Sequence, residues 1–441
     1  MIAVSAVRDV RRRNSGDCSG TVDAMNALTH SDDLASFISA SPSSFHAAHA
    51  VAERLEAAGY RRQDETAEWD ASPGGHVMVR DGAVIAWWVP ENIDELSFSI
   101  VGTHTDSPTF KVKPNPYSSV EGYGQVNVET YGGLLANSWL NRELALAGRI
   151  FTDSGEHLVR TGPIMVIPQL AIHLDRSARE GISLNNQQHL RPIFSVSDTD
   201  LMKHLADSAG VEGEILGFDL VAADTQEPQR LGVDEEFFAA GRQDNLLSVH
   251  AALTAMEEHE TTSGPVAVLA AFDHEEIGSR TATGAAGPIL ETVLRRTAAA
   301  LGVEKEERLQ QAFARSSCLS ADCGHAVHPN YGEKHDPAHR TVLGAGPLLK
   351  HNANQAYTTD GWGTALWRRA CAEAGVPTQD FVSRNDVPCG STIGPLTATR
   401  LGIRTIDVGA PLLSMHSVRE LSHVDDAYAM SKAIGAYWQI S

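Results

Sequence analysis

The stretch Val268–Ser279 constrains this chain most: an apolar run reads as a buried strand, then breaks into two adjacent carboxylates, Glu275 and Glu276, ahead of Gly278. Neighbouring residues leaving a strand point in different directions, so the two glutamates need not share one job. One could hold a metal while the other stays free as a proton shuttle. An acidic pair alone is more often a solvated loop, because charged side chains are seldom buried unpaired. Its place at the end of an apolar strand argues otherwise, since α/β enzymes build their sites outside the carboxyl ends of strands.

From Gly241 onward helices and apolar strands alternate. Helices are predicted at 244–258, 287–301, 362–375, 391–401 and 424–438, and strands at 265–272, 317–321, 379–384 and 403–408. That order implies an α/β layered sheet. Upstream, residues 31–60 carry helical spacing at Leu34, Phe37, Ile38, Val51 and Leu55, with Gly59 as a stop and Ser43 or Ser44 capping a second helix. His46 and His49 fall on one face of that helix and read as packed or exposed, not as ligands. Strand-like runs at 76–89 and 96–102 follow, the second leading into Gly102-Thr103-His104-Thr105-Asp106-Ser107-Pro108. Residues 108–237 change character, with short alternating segments broken by Gly and Pro, which suggests a mainly β insertion.

At 441 residues the chain exceeds one ordinary core, so two domains are expected. Its net charge of -21 argues against nucleic acid or an anionic membrane as a partner. No apolar run approaches the roughly 18–20 residues of a membrane span. Arg8, Arg11, Arg12 and Arg13 are not followed by the apolar core of a signal peptide, and residues 1–19 read as a disordered extension. Five cysteines without close pairing suit a reduced, cytoplasmic compartment.

Further polar residues stand at predicted strand ends or a helix start: His104, Asp106, Asp244, Asp322 and His416. Singly each is weak; Asp244 could simply favour a helix dipole, and His416 could be a loop histidine. Together they mix histidine and carboxylate donors, which suits zinc or a similar divalent ion such as manganese or cobalt. Two metals need a bridging carboxylate and about two further ligands each. His104, Asp244, Glu276, Asp322 and His416 supply that number, with Asp106 as the carboxylate that would orient His104.

The blocks Gly102–Pro108, Gln243-Asp244-Asn245, Asp273–Ser279, Ser320-Ala321-Asp322 through Tyr331, Arg384-Asn385-Asp386 through Pro395, and Ser414-Met415-His416-Ser417 through Glu420 resemble the aspartyl aminopeptidase family of dinuclear zinc metallopeptidases. The resemblance runs from about residue 25 to the C-terminus. It implies that Asp244 bridges two ions, that His104 and Asp322 complete one site, and that Glu276 and His416 complete the other. Glu275 would be the general base acting on a metal-bridging water. His173 matches a histidine that reaches the neighbouring subunit's active site, although its own surroundings read as a packed strand. Lys350 matches an acid-binding lysine and His325 a second pocket residue; read alone, Lys350 would be a surface side chain.

The expected protein is thus a cytoplasmic aminopeptidase that removes N-terminal Asp or Glu from peptides. Its discontinuous catalytic domain would cover 20–107 and 238–441, with 108–237 inserted for assembly into a homododecamer. The alternatives are a di-metal aminopeptidase of broad or neutral preference, or a non-catalytic scaffold, which would have no use for Glu275. Two departures from the family stand out. After Tyr131-Gly132-Gly133 the family's His and Asp are replaced by Ala or Asn, a change assigned here to assembly, and His274 stands where Asn is common.

Overall fold

The computed structural model describes residues 18–196 and 199–441, with side chains from residue 25. Residues 1–17 of the expected extension lie outside the described residues. Cys18, inside that expected extension, already begins a helix that runs to Ala40.

Four parallel strands lie side by side at the centre of a nine-stranded sheet: Val266–Phe272, Phe98–His104, Ser317–Ala321 and Arg404–Gly409. The first three are buried at every position, because helices cover both faces. Val101, Leu269 and Leu319 pack toward helices Ser44–Ala57, Gln243–Glu257, Gly361–Ala374 and Val424–Ile440. Ile100, Val268 and Cys318 pack toward Ile289–Ala300, Glu306–Arg315 and Ile393–Leu401. Two covered faces explain why these strands read as continuous apolar runs and do not alternate. The layered α/β fold is as expected.

Local details differ from expectation in physically readable ways. The run 76–89 is a hairpin, Gly74–Arg80 against Ala83–Val89, turning at Asp81 in left-handed backbone. Helix Glu306–Arg315 was not anticipated, since only Leu309, Ala312 and Phe313 are buried on its charged surface. Ser43 does cap the second helix, accepting from the His46 N–H.

Strands Thr109–Val120, Tyr123–Tyr131, Leu144–Thr152, Gly155–Arg160, Ile193–Ser195 and Gly217–Asp224 form a separate six-stranded sheet with its own apolar core around Phe110, Leu146, Ile150 and Leu220. That sheet ends at Asp224. Beyond it, Gln229–Leu231 pairs with Phe237–Ala240, which pairs on its other side with Glu420–His423. Among the described residues no helix is long and apolar enough to cross a membrane.

Candidate metal centre

The four central strands deliver the expected ligands to one edge. His104 ends Phe98–His104, Glu275 and Glu276 open the turn after Val266–Phe272, Asp322 follows Ser317–Ala321, and His416 lies beyond Arg404–Gly409. Asp244 enters from the start of helix Gln243–Glu257, in backbone that is not yet helical. Gly409 is required by this crowding, because a Cβ there would lie 1.6 Å from the Asp322 carbonyl oxygen. Arg242, His274, Ser414 and His416 adopt left-handed φ of 60°, 65°, 58° and 66°. Such backbone costs about 1 kcal/mol or more per non-glycine residue and gathers at functional sites.

His104 Nε2 lies 3.5 Å from Asp244 Oδ1 and 3.4 Å from Asp322 Oδ1. His416 Nε2 lies 3.3 Å from Asp244 Oδ2 and 3.5 Å from Glu276 Oε2. Asp244 therefore turns one oxygen toward each of two groups, His104–Asp244–Asp322 and Asp244–Glu276–His416, each with its donor atoms within 4.8 Å of one another. Tetrahedral zinc with bonds of about 2.0–2.1 Å spaces its donors roughly 3.3 Å apart, so both groups fit. Asp244 Oδ1 and Glu276 Oε1 are moreover buried without a hydrogen-bond partner. Buried carboxylates are rarely left so, and cations between these groups would satisfy them.

The two glutamates differ in surroundings. Glu276 stands with both Asp244 and His416, whereas Glu275 Oε2 is 3.9 Å from His104 Nε2. His104, Glu275 and Glu276 also form a possible ligand group, so distance alone does not divide their roles. Burial pushes the Glu275 carboxyl up to about 7; His104 opposes this, while Asp322, Asp106 and Asp244 add to it.

Asp106 does more than orient His104. Its carboxylate accepts the N–H groups of Glu275 at 3.0 Å and Glu276 at 3.1 Å, and the Tyr131 hydroxyl at 2.8 Å. The nearer partner of His104 Nδ1 is the Asp106 carbonyl oxygen at 3.0 Å, with the carboxylate at 3.4 Å. Asp106 thus holds the glutamate turn and faces His104 with both its carbonyl and its carboxylate.

The Tyr131–Leu135 turn also belongs to this site. Gly133 O accepts from His416 Nδ1 at 3.2 Å, and Leu135 N–H donates to His416 O at 2.9 Å. Farther on, Asn141 turns away from the site, its side chain bonding Gln169. His274 turns its Nδ1 to Thr281 Oγ1 at 3.0 Å.

Lys350 is no surface lysine. It is 1% exposed, donates to Cys323 O at 2.7 Å, and lies 3.6 Å from Asp322 Oδ2. His325 lies nearby, exposed, on a short strand paired with Pro411–Leu412. His173 overturns the packed-strand reading: it sits exposed in a turn, flanked by exposed Leu170, Ile172 and Leu174. That segment carries no ladder of its own, so strand propensity had nothing to pair with.

Glu420 had no assigned role in the sequence, yet it is buried and reaches both sides of the site. Its Oε2 accepts the Asp244 N–H at 3.0 Å and its Oε1 the His416 N–H at 2.8 Å. Its only sequence signal was membership of the His416 block.

The family described as Aminopeptidase I zinc metalloprotease (M18) matches residues 37–438. The probable M18 family aminopeptidase 2 of Streptomyces avermitilis is 51% identical over 420 residues, covering 92% of this chain and 97% of that protein. A chain of a solved Ape4–Nbr1 complex superposes with a TM-score of 0.90 at 35% identity, over 95% of this chain and 87% of that one. An mApe1 dodecamer from S. cerevesiae gives 0.82 at 28% identity, over 94% and 97%. Matched along nearly its whole length, the chain belongs to the M18 family of zinc metallopeptidases and is an aminopeptidase.

Proposed function

We propose that this aminopeptidase carries two zinc ions per subunit and removes N-terminal Asp or Glu from peptides. The observation that carries the dinuclear reading is the Asp244 carboxylate, whose two oxygens face separate donor groups. His104 and Asp322 would share one ion with Asp244, and Glu276 and His416 the other. When bound, the ions supply the Lewis acidity that makes water a nucleophile near neutral pH. Glu275 takes the proton of the attacking water at its carboxylate and returns it to the leaving amine.

The acidic preference rests on Lys350. An ammonium has three donors, and the Cys323 carbonyl accepts from one of them. The remaining donors suit a substrate carboxylate, which would otherwise be buried unpaired. His325 would line the same pocket. One observation favours a neutral or broad preference instead: Lys350 already lies beside Asp322.

Residues 108–237 are proposed as an assembly unit inserted into a catalytic unit of 20–107 and 238–441. The apolar side chains around His173 support self-association, as does the dodecamer formed by mApe1. His173 would then reach a neighbour's site. Cys318, Cys323, Cys371 and Cys389 are free thiols, which suits a cytoplasmic location.

Hydrolysis rates for matched substrates with N-terminal Asp, Glu, Leu or Ala test the specificity. The expected outcome is at least about a tenfold advantage for Asp or Glu. A preference for Leu would sink the acidic pocket.

A further inference from the structure

The Asp244 and His416 segments come from distant parts of the chain, and both approach the site through left-handed backbone, at Arg242 on one side and at Ser414 and His416 on the other. Strained segments hold their position only where their surroundings over-determine it. Glu420 supplies such a tie. It is 2% exposed, and each carboxylate oxygen accepts one backbone N–H, from Asp244 at 3.0 Å and from His416 at 2.8 Å.

Glu420 is itself fixed. Its carbonyl oxygen accepts from Gln243 Nε2 at 2.7 Å, Gln243 Oε1 accepts from Ser422 Oγ at 2.5 Å, and Glu420 pairs with Ala240 across the small sheet. The Gln243 side chain, fully buried, thus locks the residue beside Asp244 to the strand that carries Glu420.

We propose that Glu420 is a positioning residue that sets the separation of Asp244 from His416, and through it the affinity of the Asp244–Glu276–His416 group for its ion. This rests on the dinuclear reading above. The ion of the His104–Asp322 side also uses Asp244, but Glu420's two carboxylate hydrogen bonds go to Asp244 and His416, so that ion feels the tie less. The requirement is chemical. Glutamate offers two acceptor oxygens to two donors; glutamine offers one and turns an NH2 group against the other N–H. Partners that orient metal ligands are commonly worth 10–100-fold in affinity, by roughly that measure.

The test is a zinc titration of the metal-stripped full-length protein against a chromophoric chelator, for wild type, Glu420→Gln and Glu420→Asp. Wild type should take two ions. Glu420→Gln should keep one ion within a few-fold of wild type and bind the other about 10–100-fold more weakly. Excess zinc should then restore kcat, which a purely structural defect would not allow. Glu420→Asp keeps both oxygens one methylene short and should show a smaller split. Unchanged affinities, or two affinities lowered by the same factor, would overturn the proposal. Should Glu420→Gln fail to fold by circular dichroism, Glu420→Asp carries the test with the same outcomes. A wild-type stoichiometry of one ion takes down the dinuclear reading and this inference together; two ions with unaltered variants take down this inference alone.

Discussion

The nine-stranded and six-stranded sheets treat their polar and apolar residues in opposite ways. In the first, apolar strands such as Val266–Phe272 are covered on both faces, and the metal-ligand candidates stand at or past the strand ends. Along the chain that forms the second, Leu170, Leu174 and Ile182 stand 57%, 76% and 46% exposed. The first region gathers its histidines and carboxylates at one edge. The second leaves apolar side chains exposed along one segment of chain, Ile172 among them. The two meet at Tyr131–Leu135, where the second sheet hands a turn to His416 and Asp106.

The comparison breaks most sharply at Asp244. Asp244→Ala removes an oxygen from each donor group at once, so both ions should be lost and turnover should fall by more than the roughly 10–100-fold typical of losing a ligand's supporting partner. Metal analysis alongside kinetics checks this; a variant that keeps both ions would contradict the bridging role.

Next in size is Lys350. Lys350→Met keeps the side chain's bulk without its charge. Rates on Asp- and Glu-terminated substrates should drop by about 10²-fold, with Leu-terminated substrates little affected. An equal loss on every substrate would mean that Lys350 serves Asp322 and not the substrate.

A smaller effect on chemistry is expected from the other region. The double variant Leu170→Glu/Leu174→Glu should reduce the particle mass measured by light scattering while each chain retains its zinc. His173→Ala should lower activity without changing that mass. Unaltered mass in the double variant would move the assembly surface elsewhere.

The smallest effect concerns pH. Burial holds His259 at about 4, His30 at about 3 and His46 at about 4, so all three stay neutral in the folded chain. In the unfolded chain they take protons near their ordinary value of 6.5. As pH falls from 6.5 toward 4 the unfolded state gains protons that the folded state refuses, so these groups lower stability across that window. His259→Phe keeps an aromatic ring between Trp88 and Trp438 and should remove about one proton from that slope. Chemical denaturation across a pH series reads it directly, and an unchanged slope would mean His259 titrates normally.

The legible part of this molecule follows the same divide. Apolar runs with both faces covered, and polar residues just past their ends, were readable because strand and helix periods and ligand chemistry are local signals. His104, Asp244, Glu276, Asp322 and His416 do converge. What was hidden depended on three-dimensional neighbours. Lys350 looked like any lysine until a strand buried it beside Asp322, and His173 looked like a strand residue until no strand paired with it. The contribution of Tyr131–Leu135 to the metal centre and the tie made by Glu420 join segments that no spacing along the chain brings together.

The division of labour between Glu275 and Glu276 is the core of the account, and one paired measurement tests it: zinc content and turnover of Glu275→Gln and Glu276→Gln, side by side. Glu275→Gln should retain two ions per chain and lose turnover by about 10²–10⁴-fold, the usual worth of a general base. Glu276→Gln should lose the ion it shares with His416. If Glu275→Gln cleaves peptides at the wild-type rate with both ions bound, or if the ion is lost from Glu275→Gln and kept by Glu276→Gln, the assignment is wrong.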